Sequence, residues 1–251
     1  MTPAGFSSFL RAIPVVRLSL LFRWLVGFSL AAGGVYGAVC INMGAGARAS
    51  FTEAEGFRYW FENPAARDRA LEADYVNAHR GLSLQQGRGE LTAEGLRLEQ
   101  DILEARFSMR RAESPAKRAY FAYRDVYRLY APPETDLSRR ARLLAPAAKH
   151  AWREESVGRG WPVTDVMFDP EPGETAGRRV VFSTPHRFEA ANLAAILRGK
   201  GISADTFDDG QVPGAARQGV WITVSSDDFW RAHAQLKSLL APDLPVVFQK
   251  S

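Results

Sequence analysis

The chain has one cysteine, Cys40, in 251 residues. This excludes an intramolecular disulfide and any metal site built on paired cysteines. Residues 1–50 contain no aspartate, glutamate or lysine, and their only charges are Arg11, Arg17, Arg23 and Arg48. The remaining 28 of the 32 basic residues are balanced by all 28 acids, so the formal +4 belongs to the first fifty residues. Phosphate binding needs a basic patch on a folded surface, and the part after residue 50 is formally neutral, so no nucleic-acid partner is expected. A Gly-x-x-x-x-Gly-Lys phosphate loop and a dinucleotide fingerprint are both absent, Gly87-Arg88-Gly89 being too short to count. The four histidines, His79, His150, His186 and His233, lack metal-ligand spacing among themselves. The expectation is therefore no metal and no cofactor.

What the N-terminus does have is a long apolar run. From Trp24 to Ala47 there is no charge, and Leu18, Leu20, Leu21 and Phe22 extend the run backwards. A bilayer core of about 30 Å needs roughly 20 helical residues, so residues 18–43 are expected to cross a membrane, leaving 1–17 as a short preceding segment. Arg11, Arg17 and Arg23 lie before or at the N-terminal end of the span, whereas Arg48 and Arg58 follow it. That bias favours an N-terminus in the cytoplasm and the remainder outside, at a bacterial inner membrane. The rival reading is a cleaved signal peptide, with Ala47-Arg48-Ala49 as a small-residue cleavage site. A lipoprotein fits less well, because Val39 precedes Cys40 where a small residue belongs. Gly27, Ala31, Gly34 and Ala38 recur at helical spacing, and Gly33 with Gly37 forms a Gly-x-x-x-Gly. Such a small face permits close helix–helix approach in lipid, self-association included. Glycine and alanine are also simply common in membrane helices.

Residues 50–158 read as helices with punctuation. Ser50-Phe51-Thr52-Glu53 has the form of a capping box, opening a short helix to Phe61. Asn63-Pro64 starts another, which Gly81 ends. Thr92 caps a long helix to Glu113, and Ser114-Pro115 opens the next. A further helix spans Asp136 to Trp152, bent or broken by Pro146. Tyr120, Tyr123, Tyr127 and Tyr130 form a stripe at three- and four-residue steps. The stripe suits a partner surface or packing against neighbouring helices with the hydroxyls reaching water. No 34-residue repeat recurs, which excludes a regular tetratricopeptide solenoid.

Residues 159–178 read as a short strand, Trp161–Phe168, and a breaker-rich linker. From 179 to 249 the order is strand, helix, strand, strand, helix, strand: Arg179–Ser183, Phe188–Lys200, Ile202–Phe207, Gly219–Val224, Asp228–Leu240 and Leu244–Phe248. The predicted fold class is α+β: an N-terminal transmembrane helix, a helical middle and a C-terminal ferredoxin-like β-α-β-β-α-β unit.

The stretch Glu189-Ala-Ala-Asn-Leu-Ala-Ala-Ile-Leu-Arg-Gly-Lys-Gly-Ile202 resembles the first helix and following strand of bacterial SPOR domains. The resemblance covers less than a third of the chain and implies contact with septal peptidoglycan. The strand Val180-Val-Phe-Ser-Thr-Pro185 and the turn Ser225-Ser-Asp227 depart from that family's pattern, so no glycan-binding residue is carried over. The same layout is similar to small prokaryotic signal-transduction domains and to the assembly-platform proteins of type II secretion and type IV pili. A shared fold does not fix function.

Candidate chemistry is sparse. His186 lies beside Ser183 and Thr184 at a strand end, but a turn histidine without a partner is ordinarily surface. Asp208-Asp209 and Asp227-Asp228 are carboxylate pairs suited to acid–base work, yet turn and cap duty explains both. Glu154-Glu155 reads as a solvated helix face. With no catalytic residue assigned, the expectation is a non-enzymatic envelope scaffold or assembly component, acting through protein or cell-wall contacts. A cytoplasm-facing regulatory module and an exported enzyme are the alternatives.

Overall fold

The computed structural model describes residues 15–130, 134–161, 164–168, 171–175, 177–208, 219–244 and 247–248. The chain divides into two compact units, residues 1–46 and 47–251. Helix α1 (Val15–Glu62, 48 residues) begins in the first and ends in the second. Its apolar part is long enough to cross a membrane, and none of that stretch is buried inside the protein. Trp24, Leu25, Phe28, Leu30, Tyr36 and Ile41 are all exposed, Phe28 to 76%. This is far more contiguous apolar surface than water tolerates on a monomer.

In the second unit the last turns of α1 are core. Ala47, Ala54 and Phe61 are buried seven residues apart, with Phe51 and Phe57 packed beside them. The expected helix start at Ser50 is therefore corrected: Ser50-Phe-Thr-Glu53 lies inside α1. A capping motif opens a helix only where the preceding chain leaves helical geometry, and here the helix runs on through Gly44 and Gly46. The candidate cleavage site Ala47-Arg48-Ala49 is likewise helical, with Ala47 buried. At Asn63 the helix does stop. Its side-chain amide donates to the Tyr59 carbonyl at 3.0 Å, and Pro64 has no N–H with which to continue.

Helix α2 (Pro64–Gly87) runs through Gly81, another correction. A mid-helix glycine costs about 1 kcal/mol but ends nothing by itself. The left-handed residue that turns the chain is Gly89, at φ +74°. Helix α3 (Ala93–Ala112) is capped by Thr92, which accepts from the Gly95 N–H at 3.1 Å. Ser114 caps α4 (Pro115–Leu129) through the Lys117 N–H at 3.2 Å. Thr135 and Ser138 cap α5 (Asp136–Gly158) reciprocally. Pro146 neither breaks nor ends α5, which continues six residues past Trp152. Leu143, Leu144, Ala145, Ala147 and Ala148 around the proline are all buried, and that packing offsets the lost hydrogen bond.

The expected strand Trp161–Phe168 is replaced by a 3-10 turn, Asp165–Phe168, where described. Phe168 is fully buried there, its ring 4.5 Å from Trp152. This aromatic contact anchors the segment, and among the described residues no strand pairs with it.

Strand β1 (Arg178–Thr184), helix α6 (Arg187–Gly199), strands β2 (Ala204–Asp208) and β3 (Val220–Ser225), and helix α7 (Phe229–Leu240) follow. The sheet is antiparallel in the order β1-β3-β2, with a register shift between Val180 and Phe182. Val181, Phe182, Leu193, Leu197, Ile222, Phe229 and Leu236 form its core, joined by Leu143 of α5. From Arg179 to Thr184 every residue of β1 is buried, so both faces of that strand are covered.

The last expected strand, Leu244–Phe248, falls partly on residues 245–246, outside the described residues. Leu244, Val247 and Phe248 belong to no strand. Phe248 takes φ +59°, which no strand contains. Its N–H donates to Glu62 at 2.7 Å and its ring meets Phe61 at 5.7 Å. The fold is thus mostly helical with a small three-stranded sheet, and the four-stranded unit is not formed by the described residues.

Candidate functional site

Two polar regions of the packed unit differ in what they can do. In the first, α4, α5 and the 171–175 turn meet beside β1. Lys149 lies on the buried face of α5 with Ala145, Ala148 and Trp152. Its Nζ is 2.5 Å from Glu174 Oε2. Glu174 also accepts from the Glu171 N–H at 2.9 Å, and Glu171 accepts from Arg128 at 2.8 Å and from the Tyr120 hydroxyl at 3.3 Å. Burial lowers the Lys149 pKa against the opposing pull of Glu174. Burial, followed by the charge of Glu171, raises the Tyr120 and Tyr127 hydroxyls. The cavity they line, with Ser183 and Trp221, is about 10 Å³, room for one water at most. These charges are occupied with one another, and the cluster fastens the helices to the sheet.

The second region is a groove of about 700 Å³ between α5, α7 and the C-terminal residues. Phe61, Ala151, Trp230, Ala234, Val247 and Phe248 give it apolar walls, and Glu154, His233, Lys237 and Ser238 its polar points. The Trp230 indole N–H donates to Glu154 at 3.1 Å, and His150 Nε2 lies 3.4 Å from the same carboxylate. His150 stacks on Phe229 at 4.1 Å. His233 Nε2 is 3.2 Å from the Leu143 carbonyl, which suits the tautomer with the proton on Nε2. Burial pushes the His233 pKa down to about 4, so near neutral pH the groove wall there is uncharged. A mostly apolar trough with a few fixed polar groups has the make-up common to ligand sites.

The residues singled out from the sequence are scattered. His186 caps α6 without a side-chain cap bond, is exposed, and sits 3.4 Å from Glu134. Thr184 donates to Glu189 at 2.5 Å, and Arg139 holds the same carboxylate. Burial pushes the Glu189 carboxyl up, but the Thr184 hydroxyl and the Arg139 guanidinium outweigh it and hold it below its usual range. Asp208 pairs with Arg187 at 2.7 Å, while Asp209 lies outside the described residues. Asp228 precedes α7, and it accepts from Ser225 at 3.1 Å. Glu154-Glu155 is no simple solvated face: Glu155 accepts from Ser114 and Arg159 and ties the end of α5 to the start of α4.

In the tyrosine stripe, Tyr120 and Tyr123 are buried, while Tyr127 and Tyr130 are half-buried against the same core. Along the apolar helix nothing lies within 4 Å of the Cβ position of Gly27, Gly33, Gly34 or Gly37, and Ala31 and Ala38 are exposed. Sequence reasoning missed the groove. Its Trp230, Glu154 and Phe61 lie far apart in the chain, and no local motif joins them.

Among the described residues no three His, Cys, Asp or Glu side chains converge as metal ligands. The geometry assembles a mostly apolar trough and a structural ion-pair cluster. Compared with known protein families, curated proteins and solved structures, the chain matches none of them.

Proposed function

We propose that this is a non-enzymatic, single-pass protein of the bacterial inner membrane, with its N-terminus in the cytoplasm and residues 50–251 outside. It acts as a scaffold or assembly component through contacts with envelope proteins or the cell wall, peptidoglycan included. The observation that carries the reading is the uninterrupted exposed apolar surface of α1 beside a packed unit whose buried charges serve its own fold. The strand order β1-β3-β2 with α6 and α7 supports treating residues 178–240 as a reduced ferredoxin-like, SPOR-like module. Its α7 groove is then the partner-binding face, in preference to the tyrosine stripe, whose first two rings are buried. The Gly27–Ala38 face is the surface for a neighbouring membrane helix.

The groove also favours a second reading, a membrane-tethered ligand-binding regulator facing the cytoplasm. One experiment separates the two. Alkaline phosphatase and a cytoplasm-only fluorescent protein are fused in parallel after Ser251, and the cells are fractionated. Phosphatase activity in the membrane fraction supports the envelope scaffold. Membrane fluorescence without phosphatase activity overturns its orientation and supports the regulator. Activity in the soluble fraction sinks both.

A further inference from the structure

We infer that α3 is a self-pairing helix: its outward face forms an antiparallel seam with α3 of a second copy. The inference does not depend on the orientation or the partners proposed above.

Helices α2 and α3 form a hairpin that buries little. Leu71 is the one buried residue on α2, and α3 has none. The side of α3 that faces α2 is identified by its contacts. Gln100 lies 3.2 Å from His79, Phe107 packs on Tyr75 at 4.8 Å, and Leu103 lines the same cleft.

A second apolar stripe runs along α3: Leu98, Ile102, Ala105, Met109 and Ala112, in steps of four, three, four and three. At about 100° per residue the stripe is centred roughly 170° away from the α2 side. Leu98 is 61% exposed and Met109 72%. Ala105 and Ala112 are exposed and Ile102 half-buried. A four–three apolar repeat is the pattern of a helix that packs against another helix along its length. Scattered exposed leucines would carry no such period.

The charges beside the stripe identify the occupant. Glu99 and Arg106 flank one side, and Asp101 and Ser108 the other, all exposed. Consider two copies of α3 in antiparallel register, with Leu98 against Met109 of the second copy and Ile102 against Ala105 of the second copy. Glu99 then faces Arg106 of the other copy, and the two-fold axis makes this pair twice. Asp101 faces Ser108 of the other copy, so no like charges meet. A parallel register instead sets Glu94 beside Glu99 of the other copy, which repels, and Asp101 beside Arg106, which attracts, so its two pairs offset each other where the antiparallel register has attraction alone. The face is therefore complementary to itself in the antiparallel sense, the condition for a closed two-fold contact.

The test uses the full chain in lipid vesicles, with Cys40→Ser to remove the native thiol. Chains carrying Leu98→Cys and Met109→Cys are reconstituted together in one set of vesicles, and each alone in others, then oxidised. The expected result is a disulfide dimer in the mixture and little in either chain alone. Glu99→Arg should lower the dimer yield about tenfold, and adding Arg106→Glu should restore it. Three outcomes would overturn the inference: no dimer in the mixture, equally strong dimers from Leu98→Cys alone, or a yield that ignores the charge exchange.

Discussion

Lys149 and Glu174 meet at 2.5 Å with each side chain only 4% exposed. Neither has water to fall back on, so each is the solvent of the other. Removing one partner leaves an uncompensated buried charge, which costs about 3–5 kcal/mol. Lys149→Met and Glu174→Met should each destabilise by that order. The double variant should lose much less than the sum, because it leaves neither charge of the pair without its partner. Urea unfolding of the three variants closes the cycle, and additive losses would refute the coupling.

His233 makes stability depend on pH. Its folded pKa is about 4, against 6.5 when unfolded. Between these values the unfolded chain binds more protons, so stability is complete above pH 6.5 and is lost as pH falls towards 4. The full effect is up to about 3 kcal/mol. Denaturant midpoints measured from pH 7.5 to 4.5 should fall, and the fall should shrink in His233→Gln. An unchanged slope in that variant would remove His233 as the cause.

Tyr123 is fully buried, and its hydroxyl donates to Glu55 at 2.5 Å, where Arg58 also binds. Tyr123→Phe keeps the ring packed on Phe51 and deletes only the donor. The expected loss is about 1–3 kcal/mol. Tyr123→Ala should cost about 3–5 kcal/mol, because it also opens a cavity. Similar thermal shifts for the two would show that the hydroxyl, not the ring, carries the position.

The structure leaves Gly173 little freedom. It sits at φ +82°, and a Cβ there would lie 2.8 Å from the Phe207 Cβ. Gly173→Ala combines backbone strain with a clash against an atom that cannot swing away, an expected cost of about 1–3 kcal/mol. Gly177→Ala, with nothing within 4 Å, is the control for thermal unfolding.

Short-range signals in the sequence were the readable ones. Thr92, Ser114 and the Asn63-Pro64 step mark helix boundaries, because a cap acts on backbone groups within four residues. Three strands and two helices of the sheet region also follow from local periodicity. What misled was punctuation that packing overrides: Gly81 and Pro146 lie within continuous helices, and Ser50 lies inside α1. Leu244–Phe248 has a strand's composition, yet Phe61 and Glu62, nearly two hundred residues earlier, decide where Phe248 goes. The groove and the Lys149–Glu174 pair were invisible for the same reason, since their members meet only after folding.

The thinness of the α2–α3 hairpin has a kinetic consequence. A segment with one buried side chain can open without unfolding α4 and α5, whose faces hold Tyr120, Tyr123, Leu144 and Trp152. Its amides should therefore exchange with deuterium well before those of the core helices, on a local rather than a global opening free energy. Whatever covers the outward face of α3 would move that free energy towards the global value, so the exchange rate of this one hairpin gauges its occupancy.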